Sequence, residues 1–414
     1  MYMKQEITDN INDPEALEKL YRENKRNFAR ELPQIADDHD SELLKFWKIR
    51  LTYEPGAAKK YSFSDLVTLI VVSLLTAVFV KIPEIFPAIN ETSFNTRDLA
   101  IIGFNGLIIY TFREKKINTK WIIIYGTVIL ALLLYVNLLP YRESDSLTIS
   151  FIHIPLFLWC LFGAAFIFFD FSNVGKRIEF IRFNGELLAM TGLLLITGGI
   201  LTGITINLFS AIGAKIEKPY FDFIVIPGST VSPILASYLI KLYPDITRRI
   251  VPVIARVFTP IVLVTLLIYL ITLTFSGIRI LEDRNLLIVF NIMLVAVMSV
   301  IVFSITELDK TMNRNINVLI LLILAIVTLV INSVALTAII TRLTYGLTPN
   351  RTVVLITNVL VFINLILITK DLCRSYFNAD KLGSVERTVA KYLTVYCLWT
   401  VFAIFILPLI FGFN

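Results

Sequence analysis

The chain has 414 residues, 56% of them hydrophobic and 17% charged, with a mean hydropathy of +0.76. A soluble domain is about 45–50% apolar and about 25% charged, so a row of soluble domains is excluded and a polytopic membrane protein is expected. The formal charge of +6 fits basic loops on one side of a membrane and is too small a surplus to read as nucleic-acid binding. Cys160, Cys373 and Cys397 lie too far apart in sequence to propose a disulfide framework or thiolate metal site, and His39 and His153 alone exclude a centre built on several imidazoles.

Residues 1–60 carry 11 basic and 12 acidic side chains and are the one stretch polar enough to be soluble. Asp13-Pro14 makes an N-cap and first-turn pair ahead of Leu17, Leu20, Tyr21 and Phe28 at helical spacing. Two amphipathic helices are predicted, at about 14–33 and about 40–51, as a cytosolic extension able to dock a partner. Glu54-Pro55-Gly56 then breaks the chain, and Lys59-Lys60 stand where headgroups are expected. The first apolar run follows this charged stretch, so it reads as a lasting anchor rather than a cleaved leader.

From residue 61 to 414 the pattern predicts an all-α transmembrane bundle of about eleven spans. They fall at about 64–85, 97–112, 121–140, 149–170, 186–209, 220–242, 252–276, 285–306, 316–341, 351–370 and 390–412. The second opens on Arg97-Asp98 and is interrupted by Asn105, so a tilted, short or re-entrant segment is also compatible. With the N-terminus inside, inner loops and flanks hold 18 Lys and Arg and outer loops hold eight, which predicts a cytoplasmic N-terminus and an extracytoplasmic C-terminus. No internal repeat is found.

Three places can carry chemistry. Glu186 enters the fifth span four residues after Arg182, and the span continues through Gly192, Gly198, Gly199, Thr202, Gly203 and Thr205. Gly199 and Gly203 form a GxxxG pair that either packs another helix or walls a cavity. In the sixth span Gly228, Ser229, Thr230 and Ser232, between Pro227 and Pro233, interrupt an apolar helix near its middle. Discontinuous helices at that depth hold substrate in many transporters, while a proline kink satisfied by neighbouring hydroxyls is the plainer outcome.

On the predicted outer face stand Asp222, the run Arg279 to Arg284, and Arg342 and Arg351 around Tyr345-Gly346. Arginine is disfavoured on that side, so the pair is read either as a grip on phosphate or carboxylate or as an ion pair with Glu282 or Asp283. Asn207, Asn291, Asn332, Asn358 and Asn364 are expected to bond across helices. No P-loop, HExxH, GxSxG or dinucleotide fingerprint occurs, and no cofactor is implied.

Phe183-Asn-Gly-Glu186 with its Gly-Gly-x-x-Thr-Gly run, Pro252 to Pro260, Asp283 to Asn291, and Tyr345-Gly-Leu-Thr-x-x-Arg351 together resemble the bacterial family known as domain of unknown function 4153. The resemblance covers about 61–369. It implies a multi-pass inner-membrane protein and supplies no established activity. An acidic residue often follows Tyr-Gly-Leu-Thr in that family, and Pro349 stands there in this chain.

Three functions compete. A permease for a small or anionic molecule would use the fifth and sixth spans as its cavity and Arg342, Tyr345 and Arg351 at its outer mouth. A structural or regulatory subunit of an envelope complex would dock through its N-terminal helices. A membrane enzyme would act on a lipid-linked substrate, with Asp222, Glu282 or Asp283 as acid–base groups. Expected partners are membrane lipids, an anionic solute or lipid headgroup outside, and a cytosolic protein inside.

Overall fold

A computed structural model describes residues 2–39, 41–53, 63–86, 88–140, 144–211, 213–275, 284–308, 314–344, 346–378 and 381–413, and those residues contain helices and no strand. They divide into two compact units, Met1–Phe63 and Ser64–Asn414.

The first unit holds α1 (Tyr2–Asp9), α2 (Pro14–Glu23), α3 (Lys25–Asp38) and α4 (Glu42–Tyr53). Asp13 caps α2 by accepting from the backbone N–H groups of Glu15 and Ala16, as its Asp-Pro signature predicts. The single helix expected over 14–33 is two helices instead. Asn24 closes α2 with its backbone N–H and opens α3 by accepting from Asn27 N–H through its side chain. Leu17 and Tyr21, then Phe28, Leu32 and Ile35, then Leu44, Trp47 and Leu51 face one core at helical spacing. Trp47 packs 5.2 Å from the Tyr21 ring and 5.1 Å from Phe28. Arg50 lies 4.3 Å over Trp47 and pairs with Glu18 at 2.8 Å.

In the second unit α5 (Phe63–Val80) is followed by the short α6 (Ile82–Ile85) and α7 (Glu91–Arg97), then α8 (Leu99–Lys115), α9 (Thr119–Leu138) and α10 (Asp145–Phe166). Next comes α11 (Val174–Ala211), then α12 (Glu217–Tyr220), a π-helical turn at Phe221–Val225 and α13 (Ile226–Leu242). The chain ends with α14 (Pro244–Phe275), α15 (Arg284–Thr306), α16 (Arg314–Leu343), α17 (Pro349–Phe377), α18 (Leu382–Val401), a second π turn at Phe402–Ile406, and α19 (Leu407–Ile410).

Among the described residues nine helices are long and apolar enough to cross a membrane, which fits a multi-pass membrane protein. The expected span at 97–112 corresponds to α8, 17 residues long, and that at 285–306 to α15, whose described apolar part is Asn291–Thr306. Large apolar side chains such as Leu74, Leu130, Leu138, Leu188 and Ile196 are exposed, the reverse of a soluble surface and the arrangement hydrocarbon favours.

Two large apolar cores organise this unit, and a smaller third one of Ile149, Val353, Trp399, Ala403 and Leu407 joins α10 to α17, α18 and the C-terminal turns. Of the large ones, one gathers buried residues of α5, α8, α9, α10 and α13, the other those of α14 to α18. Helix α11 belongs to both, giving Phe180 and Leu187 to the first and Ile181 to the second. At 38 residues it is about 57 Å long, far more than a hydrocarbon core of about 30 Å, so its polar first third projects beyond the apolar layer.

The close approaches of helices fall at glycines other than those of the GxxxG pair. A Cβ on Gly106 would overlap the Thr76 hydroxyl and stand 2.7 Å from Ile234 Cδ1, where α5, α8 and α13 meet. A Cβ on Gly185 would overlap the Phe303 ring of α15. Amides bond across helices in the second core: Asn358 donates to Asn291 Oδ1 at 2.8 Å, Asn332 to the Asn358 carbonyl at 3.2 Å, and Asn364 to the Tyr396 hydroxyl at 3.0 Å. Asn207 departs from that expectation and donates to Gly203 O within α11.

Candidate functional site

Loop contacts sort the two ends of the bundle. At one end Lys241 pairs with Asp65 and Glu114, Lys115 lies over the Phe166 and Phe168 rings, and Lys176 pairs with Asp170. We call this the basic end. At the other, Arg97 donates to Leu139 O and Asn350 to Asp145.

The glycines expected to wall a mid-membrane cavity are not enclosed, whereas Ser232 is buried. Gly192, Gly198, Gly199, Gly203 and Gly228 have no atom within 4 Å of where a Cβ would lie, beyond their own helix. Thr202 and Thr205 donate to carbonyls of α11 itself.

The Pro-Gly break in the sixth span takes the form of the π turn ahead of Pro227, with Asp222 half-buried in it. Its hydroxyls serve the local backbone. Ser229 donates to Val225 O at 2.7 Å and Ile226 O at 3.0 Å, Thr230 to Ile226 O at 2.8 Å, and Ser232 to Ser229 O at 2.8 Å. The last bond serves the carbonyl that Pro233, lacking an N–H, leaves without its helical donor.

At the opposite end from the basic one, Arg351 donates from Nη1 to the Gly346 carbonyl at 2.7 Å and from its backbone to Thr348 Oγ1 at 3.3 Å. Gly346 has φ of +101°, a conformation glycine adopts without strain, so the arginine fastens a turn that needs that residue. Arg342 is half-buried at the end of α16. Tyr345, Glu282 and Asp283 lie outside the described residues, and with them the ion pair weighed for these arginines.

Glu186 is the expected site residue that meets other charged groups. It lies on α11 at the basic end, in a cluster with Arg182 of the same helix, Arg256 of α14, Glu307 just after α15, and Glu386 of α18. Arg182 organises the cluster. Its Nε and Nη2 donate to the Thr306 carbonyl at 3.3 and 3.0 Å, a cation on the negative end of α15, while Nε stands 3.6 Å from Glu307 and Nη2 3.8 Å from Glu386.

Beside Arg182, Gly185 admits the Phe303 ring, and Asn184 accepts from Trp159 Nε1 of α10 at 2.8 Å. The segment Arg182 to Glu186 therefore contacts both cores at once.

Glu307 Oε1 is buried without a hydrogen bond and borders a cavity of about 30 Å³ shared with Arg256, Thr259, Ser304 and Asn317. That is room for about one or two waters. Burial pushes the Glu307 carboxyl up to about 7. Arg182 opposes the rise, Glu186 and Glu386 add to it, and Arg256 opposes it.

Sequence reasoning reached Glu186 and missed Glu307, Glu386 and Arg256 as a group. Each is a charge at the edge of an apolar run, and no spacing links positions 182, 256, 307 and 386. The signal within reach was Phe183-Asn-Gly-Glu186, where a glycine flanked by polar residues marks a helix crossing.

No protein-family model matches the chain, and no curated protein or solved structure is similar to it.

Proposed function

We propose that this chain is a permease for a small anionic molecule, in which the two helical cores shift against each other about α11. The observation that carries the reading is the gathering of the membrane helices into two large apolar cores that share α11, with a smaller core linking α10 to α17 and α18, and a mixed ionic cluster at the basic end of α11. Bistable packing of rigid bundles is how many transporters alternate access.

In this reading the chain crosses the membrane about eleven times with its N-terminus inside. Both ends of α8 support a crossing by that short helix: Asp98 accepts from Asn137 beside Arg97, and Glu114 meets Lys241 at the basic end. Membership of the domain of unknown function 4153 family, residence in a bacterial inner membrane and a cytosolic partner for α1 to α4 belong to the same proposal. So does recruitment of an anion by Arg342 and Arg351 at the outer mouth.

The test is labelling of Gly199→Cys and Gly228→Cys, each as the single cysteine, with a water-soluble maleimide in sealed vesicles. Both residues lie near the middle of their spans, so a permeation path requires them to react. Reaction only with a lipid-soluble maleimide would overturn the permease reading. The open glycine face of α11 would then favour a subunit that docks another membrane helix.

A further inference from the structure

Glu307 sits among charged groups of both signs. Among the described side chains that act on Glu307, Arg182 and Arg256 are positive and Glu186 and Glu386 negative, on α11, α14 and α18. Among the described side chains of α16, the polar group bordering the cavity is the neutral amide of Asn317.

Glu307 is where a proton fits. Its Oε1 has no hydrogen-bond donor, and Arg182 at 3.6 Å is too far to be one. The guanidinium is committed instead to the Thr306 carbonyl, and the neighbouring hydroxyls of Thr259 and Ser304 are bonded to each other at 2.7 Å. The adjoining cavity gives water a place from which to deliver a proton.

We propose that Glu307 is a reversible proton-binding site at the junction of α11, α14, α15 and α18, and that taking up a proton loosens the hold of Arg182 on it. The proton comes from water at the basic end and adds to a carboxylate oxygen, and no other bond changes. Neutral Glu307 no longer attracts Arg182, which keeps Glu386 and the Thr306 carbonyl as partners. The tie between α11 and the end of α15 then rests on the Thr306 carbonyl alone, while the ion pair between α11 and α18 persists. The elevated proton affinity that burial confers puts this exchange near neutral pH. This inference stands whether or not a solute crosses the protein.

The test is an infrared pH titration of the full chain in lipid nanodiscs, following the C=O stretch of protonated carboxyl groups. A band with a midpoint near pH 7 is expected in the parent and is lost in Glu307→Gln. In Glu386→Gln, which removes a negative neighbour and leaves Arg182 to Glu307, the midpoint falls by about half a pH unit or more. A parent without a carboxyl titrating between about pH 6 and pH 8, or a band that persists in Glu307→Gln, overturns the proposal. Should Glu307→Gln fail to fold, Glu386→Gln decides: a lowered midpoint supports the site and an unmoved one overturns it.

Discussion

Replacing Gly185 by alanine tests the junction of the two cores at its tightest point. The added Cβ would overlap Cε2 and Cδ2 of Phe303 and stand 2.9 Å from Cζ, where ordinary contact begins near 3.4 Å. The ring cannot turn aside freely, because the last turn of α15 is held beside it by Arg182 on the Thr306 carbonyl. Helix α15 must therefore move off α11, and inserting a methyl group into a packed contact of this kind costs about 1–3 kcal/mol. Thermal unfolding in detergent should show a lowered midpoint for Gly185→Ala. Phe303→Ala removes the obstacle, so the double variant should be more stable than the two single losses predict, with a coupling of about 0.5–3 kcal/mol. A Gly185→Ala protein that melts with the parent, or two losses that simply add, would refute the reasoning.

Gly199→Leu and Gly203→Leu should leave the detergent midpoint unchanged, because nothing lies within 4 Å of either Cβ position; a clear fall would mean that another helix covers this face. The folded state holds a proton on Glu307 up to about pH 7, whereas the ordinary glutamate value is 4.5, so stability should fall as pH rises from about 4.5 to about 7. Glu307→Gln should flatten that part of the pH profile in thermal melts. For topology, Asp145→Cys and Asp380→Cys, in a chain otherwise free of cysteine, should label from opposite sides of the membrane, Asp145→Cys from outside; labelling from one side would end the orientation assigned by the basic loops.

Features set by neighbours in sequence were legible, and features set by distant neighbours were not. Apolar runs mark the membrane helices because hydrocarbon demands continuous apolar length, and Asp13-Pro14 marks the start of α2 because both partners of the cap are local. Asn24 was passed over because an asparagine inside an amphipathic pattern competes as a cap without breaking the periodicity. Helix α11 begins at Val174 rather than near Glu186, since the charged stretch from Lys176 to Arg182 ends the apolar run without ending the helix.

The GxxxG pair marks a surface able to pack, which is a different property from a surface that is packed; Gly106 and Gly185 take the close contacts without that motif. The hydroxyls around Pro233 bond the local backbone, which is the plainer of the two outcomes the sequence allows. The ionic cluster was illegible for a geometric reason. Five charged groups from α11, α14, the end of α15 and α18 acquire their meaning only when the helix ends converge, and the burial that alters Glu307 comes from that convergence.

The central claim is that the two cores move against each other about α11, and the most direct measurement is the spin–spin distance between labels at Lys120→Cys on α9 and Lys370→Cys on α17. Both positions are exposed, one on each core, and the chain would otherwise lack cysteine. The account predicts two distance populations in nanodiscs, with the balance between them changing as pH crosses about 7 and becoming pH-independent in Glu307→Gln. A single narrow distance, the same at about pH 5 and about pH 9, would contradict it.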